Sequence, residues 1–494
     1  MSHDPEPLTA RLRLDRKLLP RRLLVVSNRL PYQIRIAGDE VTLERGLGGL
    51  VTAMDPVMRS TGGLWFGWTG SHHPVPSSIQ VAERMGGGVS YELRPLELSQ
   101  TEVSRYYLGY ANKAIWPLFH YFQEHCEFND EDWESYCSVN RKFASKVVSE
   151  YRDGDYVWIH DYHLMLVPAM IRRDLPDADI GFFLHIPFPP PELFQIAHNA
   201  DDIIEGLLGA DLIGFHTPSN ARNFVRTVAT MTELPYSVSG GWLRKDGRRV
   251  KVGDFPISID CDHFERMASR PGIDDEVRAI RDNYRAEVLA IGVDRLDYTK
   301  GILKRLNAIE IMLARHPDIQ GKFTFIQLSA PSRTKVSAYR SLRGKIEQMV
   351  GHINGRFGGK GCLPVDYRYE GHAQEELVAY YRAADAALVT PLRDGMNLVA
   401  KEYVISQIDG NGCLVLSQFA GASRELTHAI QVNPYHAESL AEGIYRAITM
   451  SVTERRSRMA RMRQIVRNND INWWVEHFLR AQRDAVRHRD NQPQ

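Results

Sequence analysis

Cysteine is scarce in this sequence, and the few cysteines present are scattered. There are five among 494 residues: Cys126, Cys137, Cys261, Cys362 and Cys413. The number is odd and no C-x-x-C spacing occurs, which argues against a disulfide framework and against a zinc site. A reducing, cytoplasmic compartment is the one that this cysteine usage favours.

The sequence also lacks long apolar runs and lacks an excess of charge of either sign. No uninterrupted apolar stretch approaches the ~20 residues that span a bilayer, and the basic start has no apolar core of the kind a signal peptide carries. Lys plus Arg equals Asp plus Glu at 61 each, so no global charge favours nucleic acid or a membrane surface. We therefore expect neither as a partner, and any anionic substrate needs a local cluster of basic groups.

What is present is the pattern of an α/β protein. Hydrophobic residues make up 43% and charged residues 25% of the chain, the balance of a globular protein. Short β-branched runs alternate with longer amphipathic stretches, which predicts parallel sheets covered by helices. The predicted strands form two series: Leu23–Ser27, Tyr156–His160, Gly181–His185 and Asp211–Phe215, then Val288–Val293, Phe323–Ser329, Ala386–Thr390 and Cys413–Ser417. The predicted helices include Lys304–Arg315, Lys335–Val350 and Gln374–Ala383.

The two series predict two Rossmann-like lobes, since 494 residues are too many for one ordinary domain. We assign residues 1–261 to an N-terminal lobe, 262–470 to a C-terminal lobe and 471–494 to a C-terminal helix. The last segment is amphipathic, and its Trp473 and Trp474 need a surface to cover. Packing on its own lobe and crossing back to the N-terminal lobe both fit this pattern.

Two runs in the N-terminal half could grip an anion. VVSNR ends a predicted strand on Arg29, whose guanidinium could form paired hydrogen bonds with a phosphate, although an ordinary surface arginine fits equally well. GLGGL precedes a predicted helix, Val51–Arg59, and its Gly48 and Gly49 would let the backbone approach an anion. The spacing differs from the G-x-G-x-x-G fingerprint of dinucleotide binding, which argues against a nicotinamide dehydrogenase.

Aromatic residues and histidines follow in the same half. Trp68, Tyr107 and Trp116 could stack on the apolar faces of sugars, although most tryptophans are core residues. WIHDYH places Asp161 just past a predicted strand, and FFLHIPFP places His185 at a strand end, where it could contact a sugar hydroxyl or be a structural histidine. The His-x-x-His spacing lacks a third convergent ligand, which argues against a metal site.

The C-terminal half carries the basic residues that an anionic leaving group needs. Arg295 and Lys300 stand in GVDRLDYTKG, after a predicted strand. Two cations on one loop can neutralise a diphosphate that gains charge as its bond to a sugar breaks. Arg333 follows another predicted strand, in APSR.

The densest polar run is TPLRDGMNLVAKE, which predicts a loop that opens a helix. The free amides at the start of this helix could bind phosphate. Asp394 could accept from sugar hydroxyls, and Glu402 lies about one turn inside the helix, near enough for ribose hydroxyls. A plain strand–turn–helix connection explains the backbone of this run but not its density of polar groups.

Together these runs resemble the trehalose-6-phosphate synthases, retaining glycosyltransferases of the GT-B architecture. The similarity spans roughly Leu23 to Phe478, and seven blocks carry it: VVSNRLP, GGLWFGW, WIHDYHL, FFLHIPFP, VDRLDYTKG, APSR and TPLRDGMNLVAKEY. The resemblance implies two Rossmann-like lobes that face each other across a deep cleft. It implies that the N-terminal lobe binds the acceptor and the C-terminal lobe binds the nucleotide-sugar.

The resemblance also implies a role for each candidate residue. The glucose-6-phosphate contacts would be Arg29, Trp68, Tyr107, Trp116, Asp161 and Arg333. The UDP-glucose contacts would be Gly48, Gly49, Arg295, Lys300, Asp394, Asn397, Leu398, Val399 and Glu402, with His372 reaching the base through its backbone. The catalytic set would be Arg295, Lys300, His185 and Asp394.

The implied reaction moves glucose from UDP-glucose to the anomeric hydroxyl of glucose-6-phosphate, giving α,α-trehalose 6-phosphate and UDP with the configuration retained. No carboxylate is placed as a nucleophile, so same-face displacement is implied, with Arg295 and Lys300 stabilising the departing diphosphate. Neither a metal nor another cofactor is expected, because UDP-glucose is a co-substrate. A homodimer or homotetramer in the cytoplasm, active in osmotic or stress protection, would fit the family.

Several alternatives bear on this assignment. Glucosylglycerol-phosphate synthases share the second-half signature but accept glycerol 3-phosphate; they depart from the SNR and APSR runs, and both runs occur here. A non-catalytic sugar-phosphate sensor is disfavoured because every charged position that the chemistry needs is filled. The glycine loop reads RGLGG where the family usually has a small residue or Pro before the Gly pair, which bears on donor choice, and Ser258 stands where Gly is commoner. No phosphatase signature follows the second lobe, so we expect trehalose 6-phosphate as the final product.

Overall fold

The chain forms two compact units. One runs to Ile257 and includes the segment from Ile471, and the other spans Ser258–Asp470. The computed structural model describes residues 22–37, 40–46, 49–70, 75–82, 89–333, 337–359 and 362–490. Within these ranges no helix is both long and apolar enough to cross a membrane. All five cysteines are free thiols.

The first unit is built on a ten-stranded sheet. Its strands, with those of a separate hairpin β2–β3, are β1 (Arg22–Arg29), β2 (Tyr32–Ala37), β3 (Glu40–Arg45), β4 (Leu64–Trp68), β5 (Ile79–Ala82), β6 (Val89–Leu96), β7 (Asp155–His160), β8 (Asp179–Phe183), β9 (Leu212–Phe215), β10 (Tyr236–Ser237), β11 (Trp242–Lys245) and β12 (Arg248–Asp254). The sheet order is β10-β11-β12-β9-β8-β7-β1-β4-β6-β5. Neighbours from β12 to β6 are parallel, and β5, β10 and β11 add antiparallel edges. The chain order reverses between β1 and β7, which makes this the switch point of the sheet.

Helices cover this sheet, as its buried central strands require. The run from Leu23 to Asn28 in β1 is buried throughout, the pattern of a parallel strand covered on both faces. The helices are α1 (Gly49–Thr61), α2 (Gln100–Glu102), α3 (Trp116–Phe119), α4 (Asp130–Glu150), α5 (Val167–Asp174), α6 (Pro191–Phe194), α7 (Ala200–Leu207) and α8 (Pro218–Met231), with a π-helix over Val103–Ile115. Some of these helices begin with a side-chain cap: Thr217 caps α8, whose first residue is Pro218.

The C-terminal helix, Ile471–Asp490, packs on the first unit. Trp474 and Phe478 are both fully buried, and the Phe478 ring stacks on Trp158 with centroids 4.5 Å apart. A Cβ on Gly214 of β9 would lie 2.6 Å from the Phe478 ring, so the glycine leaves the room that this ring occupies. The apolar face of the helix is therefore part of the core of the first unit.

The second unit has a six-stranded, wholly parallel sheet. Its strands are β13 (Val288–Arg295), β14 (Phe323–Ala330), β15 (Val365–Arg368), β16 (Ala386–Val389), β17 (Cys413–Ser417) and β18 (Ile430–Val432). Its helices are α9 (Cys261–Ala268), α10 (Ile273–Tyr284), α11 (Ile302–Arg315), α12 (Ser337–Phe357), α13 (Gln374–Ala383), α14 (Leu398–Ser406), α15 (Ala437–Thr449) and α16 (Val452–Asn468). The sheet order β15-β14-β13-β16-β17-β18 is the 3-2-1-4-5-6 order of a Rossmann fold.

The predicted elements agree with the structure except at some ends. Strand Cys413–Ser417 and helix Gln374–Ala383 are confirmed residue for residue. The predicted strand Gly181–His185 is wrong at its end, since β8 stops at Phe183. The Leu184 amide makes the last ladder hydrogen bond, to the Gly214 carbonyl, and the segment that follows contains Pro187, which has no amide proton to extend a ladder. The helix predicted over Lys335–Val350 is too short, since α12 continues to Phe357; residues 334–336 lie outside the described ranges.

Candidate active site

The switch point of the first sheet carries Arg29 and Asp161 at the ends of adjacent strands. Arg29 ends β1, and its guanidinium carbon lies 4.4 Å from the centroid of the Trp68 ring and 5.5 Å from that of Tyr107. The two aromatic rings orient the guanidinium. The Arg29 side chain is exposed, so solvent can reach this cation. Gly70 has φ +83° and leaves no room for a Cβ beside this guanidinium. An anion that reaches this point would meet a guanidinium already held in place.

The other predicted aromatic residues differ in their surroundings. Tyr107 lies on the π-helix, is half-buried and stacks on His163, with centroids 5.7 Å apart. Trp116 begins α3 and is only 5% exposed, and its ring packs against His120 and Tyr162. Tyr107 therefore keeps part of its surface exposed, whereas most of the Trp116 surface is occupied by its neighbours.

Asp161 follows β7 in a left-handed conformation, with φ 76°. Its amide donates to the Phe183 carbonyl over 2.8 Å, and its Oδ1 accepts from the His185 amide over 3.2 Å. A non-glycine residue at positive φ stores strain and persists where its surroundings fix it. The two contacts tie the loop after β7 to the loop after β8, so Asp161 and His185 are brought together.

His185 belongs to a cluster of imidazoles that the sequence did not reveal. Its Nε2 lies 3.1 Å from Nδ1 of the fully buried His160, and its ring lies 5.4 Å from that of His216. Burial lowers the pKa of His160 to about 3. Burial, together with His160 and His216, lowers the pKa of His185 well below its usual value. Both rings are therefore neutral at physiological pH.

The tautomers of this pair follow from the hydrogen-bond network. His160 Nε2 is buried and has no hydrogen-bond partner in the described part of the chain. Because a buried N–H without an acceptor is costly, the proton of His160 belongs on Nδ1, where it is donated to His185 Nε2. His185 then keeps its own proton on Nδ1 and offers a hydrogen-bond donor from a partly exposed ring.

The switch point of the second sheet lies between β13 and β16, and the densest polar cluster follows these two strands. Arg295 ends β13 and is exposed. Lys300 ends a short 3₁₀ turn, Tyr298–Lys300, and its Nζ donates to Asp394 Oδ2. The same oxygen accepts from Asn397 Nδ2 over 3.1 Å. Two residues of the run after β16 are thus joined to a cation of the loop after β13.

Helix α14 begins immediately after this cluster. Asn397 has φ 71° and directs the chain into the helix, so the first amides, those of Leu398 and Val399, lie at its positively polarised end. Asn397 Oδ1 is buried and has no hydrogen-bond partner among the residues described. The arrangement of free amides beside Lys300 is suited to an anion.

Glu402 lies in the next turn of α14 and is partly buried. Its Oε2 accepts from the hydroxyl of Tyr381 over 3.1 Å. Burial raises the pKa of this carboxyl to about 7, against a lowering by the Tyr381 hydroxyl. Glu402 therefore changes charge within the physiological pH range.

Arg333 is held by a buried carboxylate. It has φ 45°, and its Nη1 donates to Asp297 Oδ2 over 3.1 Å and to the Tyr339 hydroxyl over 2.6 Å. Burial would raise the pKa of Asp297, but Arg333 and Arg295 lower it, and the net direction is downward. Asp297 is fully buried and ionised, and it fixes the Arg333 side chain.

The remaining predicted residues are Gly48, Gly49 and His372. Gly48 lies outside the described residues, and Gly49 is the first residue of α1. His372 lies between β15 and α13, and its Nδ1 is 3.0 Å from Glu376 Oε1. Within the described residues, no group of three or more His, Cys, Asp or Glu side chains could hold a metal ion.

The sequence analysis assigned no role to Asp297, Tyr339, His160 or Arg305, although the sequence around two of them could have indicated one. Asp297 stands two residues before Thr299, and Asp-x-Thr is the pattern of an aspartate that caps the following turn. Arg305 lies on the apolar stripe of α11 formed by Ile302, Leu306 and Ile309, where a charged residue needs buried partners.

Comparison with known proteins places the chain in a family. The family model described as "Glycosyltransferase family 20" matches residues 21–484. A trehalose-6-phosphate synthase of Mycobacterium sp. (strain KMS) is 42% identical, the match covering 94% of this chain and 95% of the relative. A bifunctional trehalose-6-phosphate synthase/phosphatase of Thermoproteus tenax is also 42% identical; the match covers 93% of this chain but only 63% of that longer relative.

Solved structures agree with this placement. A UDP-forming α,α-trehalose-phosphate synthase from Burkholderia xenovorans, in complex with glucose-6-phosphate, superposes with a TM-score of 0.85 at 34% identity. The match covers 94% of this chain and the whole of that one. The predicted GT-B fold and the resemblance drawn from the seven sequence blocks are thereby confirmed. The chain belongs to glycosyltransferase family 20.

Proposed function

We propose that this chain transfers glucose from UDP-glucose to glucose-6-phosphate, giving α,α-trehalose 6-phosphate and UDP with the anomeric configuration retained. The observation that carries the proposal is the cluster of Lys300, Asp394 and Asn397 at the start of α14. It combines a cation, an acceptor for sugar hydroxyls and a helix N-terminus at the switch point of a Rossmann sheet. That combination suits a sugar diphosphate.

Most of the donor contacts would come from the second unit. Arg295 and Lys300 would stabilise the diphosphate, together with the amides of Leu398 and Val399. Asp394 would accept from glucose hydroxyls and Glu402 from ribose hydroxyls. Gly48, Gly49 and the backbone of His372 complete the set implied by the resemblance. Since ribose and phosphate contacts do not read the base, the preference for uridine is drawn from the relatives that are named UDP-forming.

The acceptor would use Arg29 with its aromatic neighbours Trp68 and Tyr107. Support comes from the exposed guanidinium that two rings hold in position. Trp116, Asp161 and Arg333 belong to the same predicted set, and Arg333 would add a second cation for the phosphate. The Burkholderia xenovorans structure that superposes on this chain was solved with glucose-6-phosphate.

The chemical step would be a same-face displacement. The anomeric oxygen of the acceptor bonds to C1 of the donor glucose as the bond from C1 to the diphosphate oxygen breaks, and that departing oxygen takes the acceptor's proton. Arg295 and Lys300 would absorb the charge that develops on the diphosphate. His185, neutral and with its proton on Nδ1, would donate to a hydroxyl of the transferred glucose. No step requires a metal ion or a redox group.

The test is UDP release by the purified protein with each combination of donor and acceptor. We expect turnover with UDP-glucose plus glucose-6-phosphate, unchanged by a metal chelator. Activity with glycerol 3-phosphate alone would overturn the acceptor assignment. The same assay across ADP- and GDP-glucose measures donor choice, and gel filtration measures the predicted homodimer or homotetramer.

Variants of the two cations test the mechanism in the same assay. Arg295→Ala and Lys300→Ala should each lower kcat by ~10²–10³-fold, the usual loss when a transition-state charge loses its partner. Arg315→Ala is the matched control, because this arginine pairs with Glu438 at a half-exposed site in the same unit and has no part in the cluster. Wild-type turnover in either cation variant would refute the proposed charge stabilisation.

A further inference from the structure

Arg305 is a charged residue sealed inside the second unit. It lies on α11, and its side chain has no exposed surface. A buried guanidinium is tolerated only where its N–H groups are paired, because water no longer solvates them. The identity of its partners therefore shows what the buried charge connects.

The partners of Arg305 come from four segments. Nη1 donates to Asp294 Oδ2 and to Gln327 Oε1, each over 2.7 Å. Nε donates to Thr390 Oγ1 over 2.9 Å, and Nη2 to the Lys300 carbonyl over 3.4 Å. Asp294 and Gln327 lie on β13 and β14, and Thr390 directly follows β16. One side chain thus joins β13, β14, the residue that follows β16 and the turn that carries Lys300.

These contacts lie directly behind the proposed donor site. Asp294 precedes Arg295 in the chain, and Thr390 opens the run that contains Asp394. The Leu392 amide donates to the Thr299 carbonyl over 2.7 Å, so the loops after β13 and β16 also meet through their backbones. Thr390 and the Lys300 carbonyl both accept hydrogen bonds from Arg305, so the guanidinium is bonded to both of the segments that carry Lys300 and Asp394.

Gly292 provides independent evidence that the Arg305 guanidinium needs the position described. A Cβ at this position would lie 2.6 Å from Arg305 Nη1 and 2.8 Å from Gln327 Oε1. Its φ is not in the left-handed region, so the glycine is not required by its backbone. It leaves the space in which the guanidinium meets its acceptors.

We propose that Arg305 is a positioning residue for glucosyl transfer: it sets the spacing of the loops that bear Arg295, Lys300 and Asp394, without touching either substrate. The inference rests on the proposed function of these loops. Its physical basis is that catalytic groups must be held near their productive geometry, and that a charge bonded on all sides has few alternative positions. The alternative is a purely structural role, in which Arg305 contributes to stability alone.

Two matched substitutions separate these roles. Thr390→Val removes one acceptor of Arg305 and leaves the side-chain shape unchanged. Thr324→Val removes an equally buried threonine hydroxyl of the same unit, which donates to the Leu363 carbonyl over 2.7 Å outside this network. Both variants lose one buried hydrogen bond, but Thr390→Val leaves an N–H of the buried guanidinium unpaired and should therefore lose more stability than Thr324→Val. Only Thr390→Val should lower kcat, by ~10-fold, because displaced catalytic groups can cost up to about 10²-fold.

Arg305→Lys extends the test to the guanidinium. Lysine keeps the charge but cannot reach four separate acceptors, and we expect kcat to fall by ~100-fold with the KM for glucose-6-phosphate unchanged. Rates are measured well below the melting temperature of each variant, which circular dichroism determines. If Arg305→Lys does not fold, the threonine pair decides alone.

The outcomes distinguish this inference from the function on which it rests. A wild-type protein that releases no UDP from UDP-glucose and glucose-6-phosphate would overturn the proposed function, and the inference with it. An active wild type together with full kcat in Thr390→Val would overturn the inference alone, as would equal losses of kcat in Thr390→Val and Thr324→Val.

Discussion

Glu402 is a carboxyl group whose environment places its titration in the working pH range. Burial raises its pKa to about 7, and the Tyr381 hydroxyl opposes that rise by donating to the ionised form. Ribose hydroxyls would donate to Glu402 in the proposed complex, so the ionised form is the one that binds. At a pH below this pKa the Glu402 carboxyl of the free enzyme is protonated, and binding of the donor must displace that proton.

The KM for UDP-glucose should therefore rise as the pH falls. Ionisation is nearly complete at pH 8 and reaches only about a tenth at pH 6, so we expect a KM ~10-fold higher at pH 6. Tyr381→Phe removes the contact that lowers the pKa and should move the midpoint to higher pH. Initial-rate kinetics between pH 6 and 9 measure both effects. Glu402→Gln cannot ionise and should give a flat profile; a flat wild-type profile would contradict the role of Glu402.

At the scale of one element, the C-terminal helix places two adjacent tryptophans in different environments. Its apolar face carries Trp474 and Phe478, which contact Trp158 and Phe183 in the first unit. The Trp474 indole N–H also donates to the Phe255 carbonyl over 3.2 Å. Two adjacent tryptophans thus differ in environment: Trp474 is fully buried, whereas Trp473 is half-buried and stacks on His477.

This difference predicts unequal costs of truncation. Trp474→Ala should lower the free energy of unfolding by about 3–5 kcal/mol, since it opens a cavity and removes a buried hydrogen bond. Trp473→Ala, its matched control, should cost about 1 kcal/mol. Urea denaturation followed by circular dichroism measures both values. Equal losses in the two variants would show that the helix does not pack by the face described.

The elements of this fold were predictable where hydrophobic periodicity was strong. The buried run of β17 and the amphipathic run of α13 have the predicted bounds. The antiparallel edge strands β10 and β11 were not found, because they are short and partly exposed and carry no apolar run. No element was predicted over Val103–Ile115, which forms a π-helix. Apolar spacing would not have identified its type, because it does not distinguish i→i+5 from i→i+4 bonding.

Only those features of the candidate site that follow from the order of strands in the chain were predictable. Arg295, Lys300 and Asp394 follow strands in the sequence, and adjacent parallel strands bring such residues to one edge. Pairings such as Arg333 with Asp297, or His160 with His185, depend on side-chain geometry between segments distant in the chain. A single sequence does not encode these contacts in any local pattern, so reasoning from motifs could name the residues but not their partners.

At the scale of the whole molecule, the chain has no net formal charge, so anionic substrates must be attracted by local groups of basic residues. Both units contain such residues. Each has its own parallel sheet with a switch point, and each switch point carries cations: Arg29 in the first unit, Arg295 and Lys300 in the second. The units differ in continuity, because the second is one stretch of chain and the first is closed by a helix from the far end of the sequence.

This difference in continuity predicts how the units behave when separated. The fragment Ser258–Asp470 keeps a complete sheet and a buried core formed by residues such as Leu306, Phe325 and Leu388, so it should unfold cooperatively and bind UDP without transferring glucose. A fragment of residues 22–257 lacks the helix that covers Trp158 and should not fold cooperatively until residues 471–490 are supplied as a peptide. Thermal melts and UDP calorimetry on the two fragments measure this. Cooperative folding of 22–257 alone would show that the first unit is complete without the C-terminal helix. The helix would then not be an essential part of the core of this unit, and the loss of stability predicted for Trp474→Ala would be contradicted.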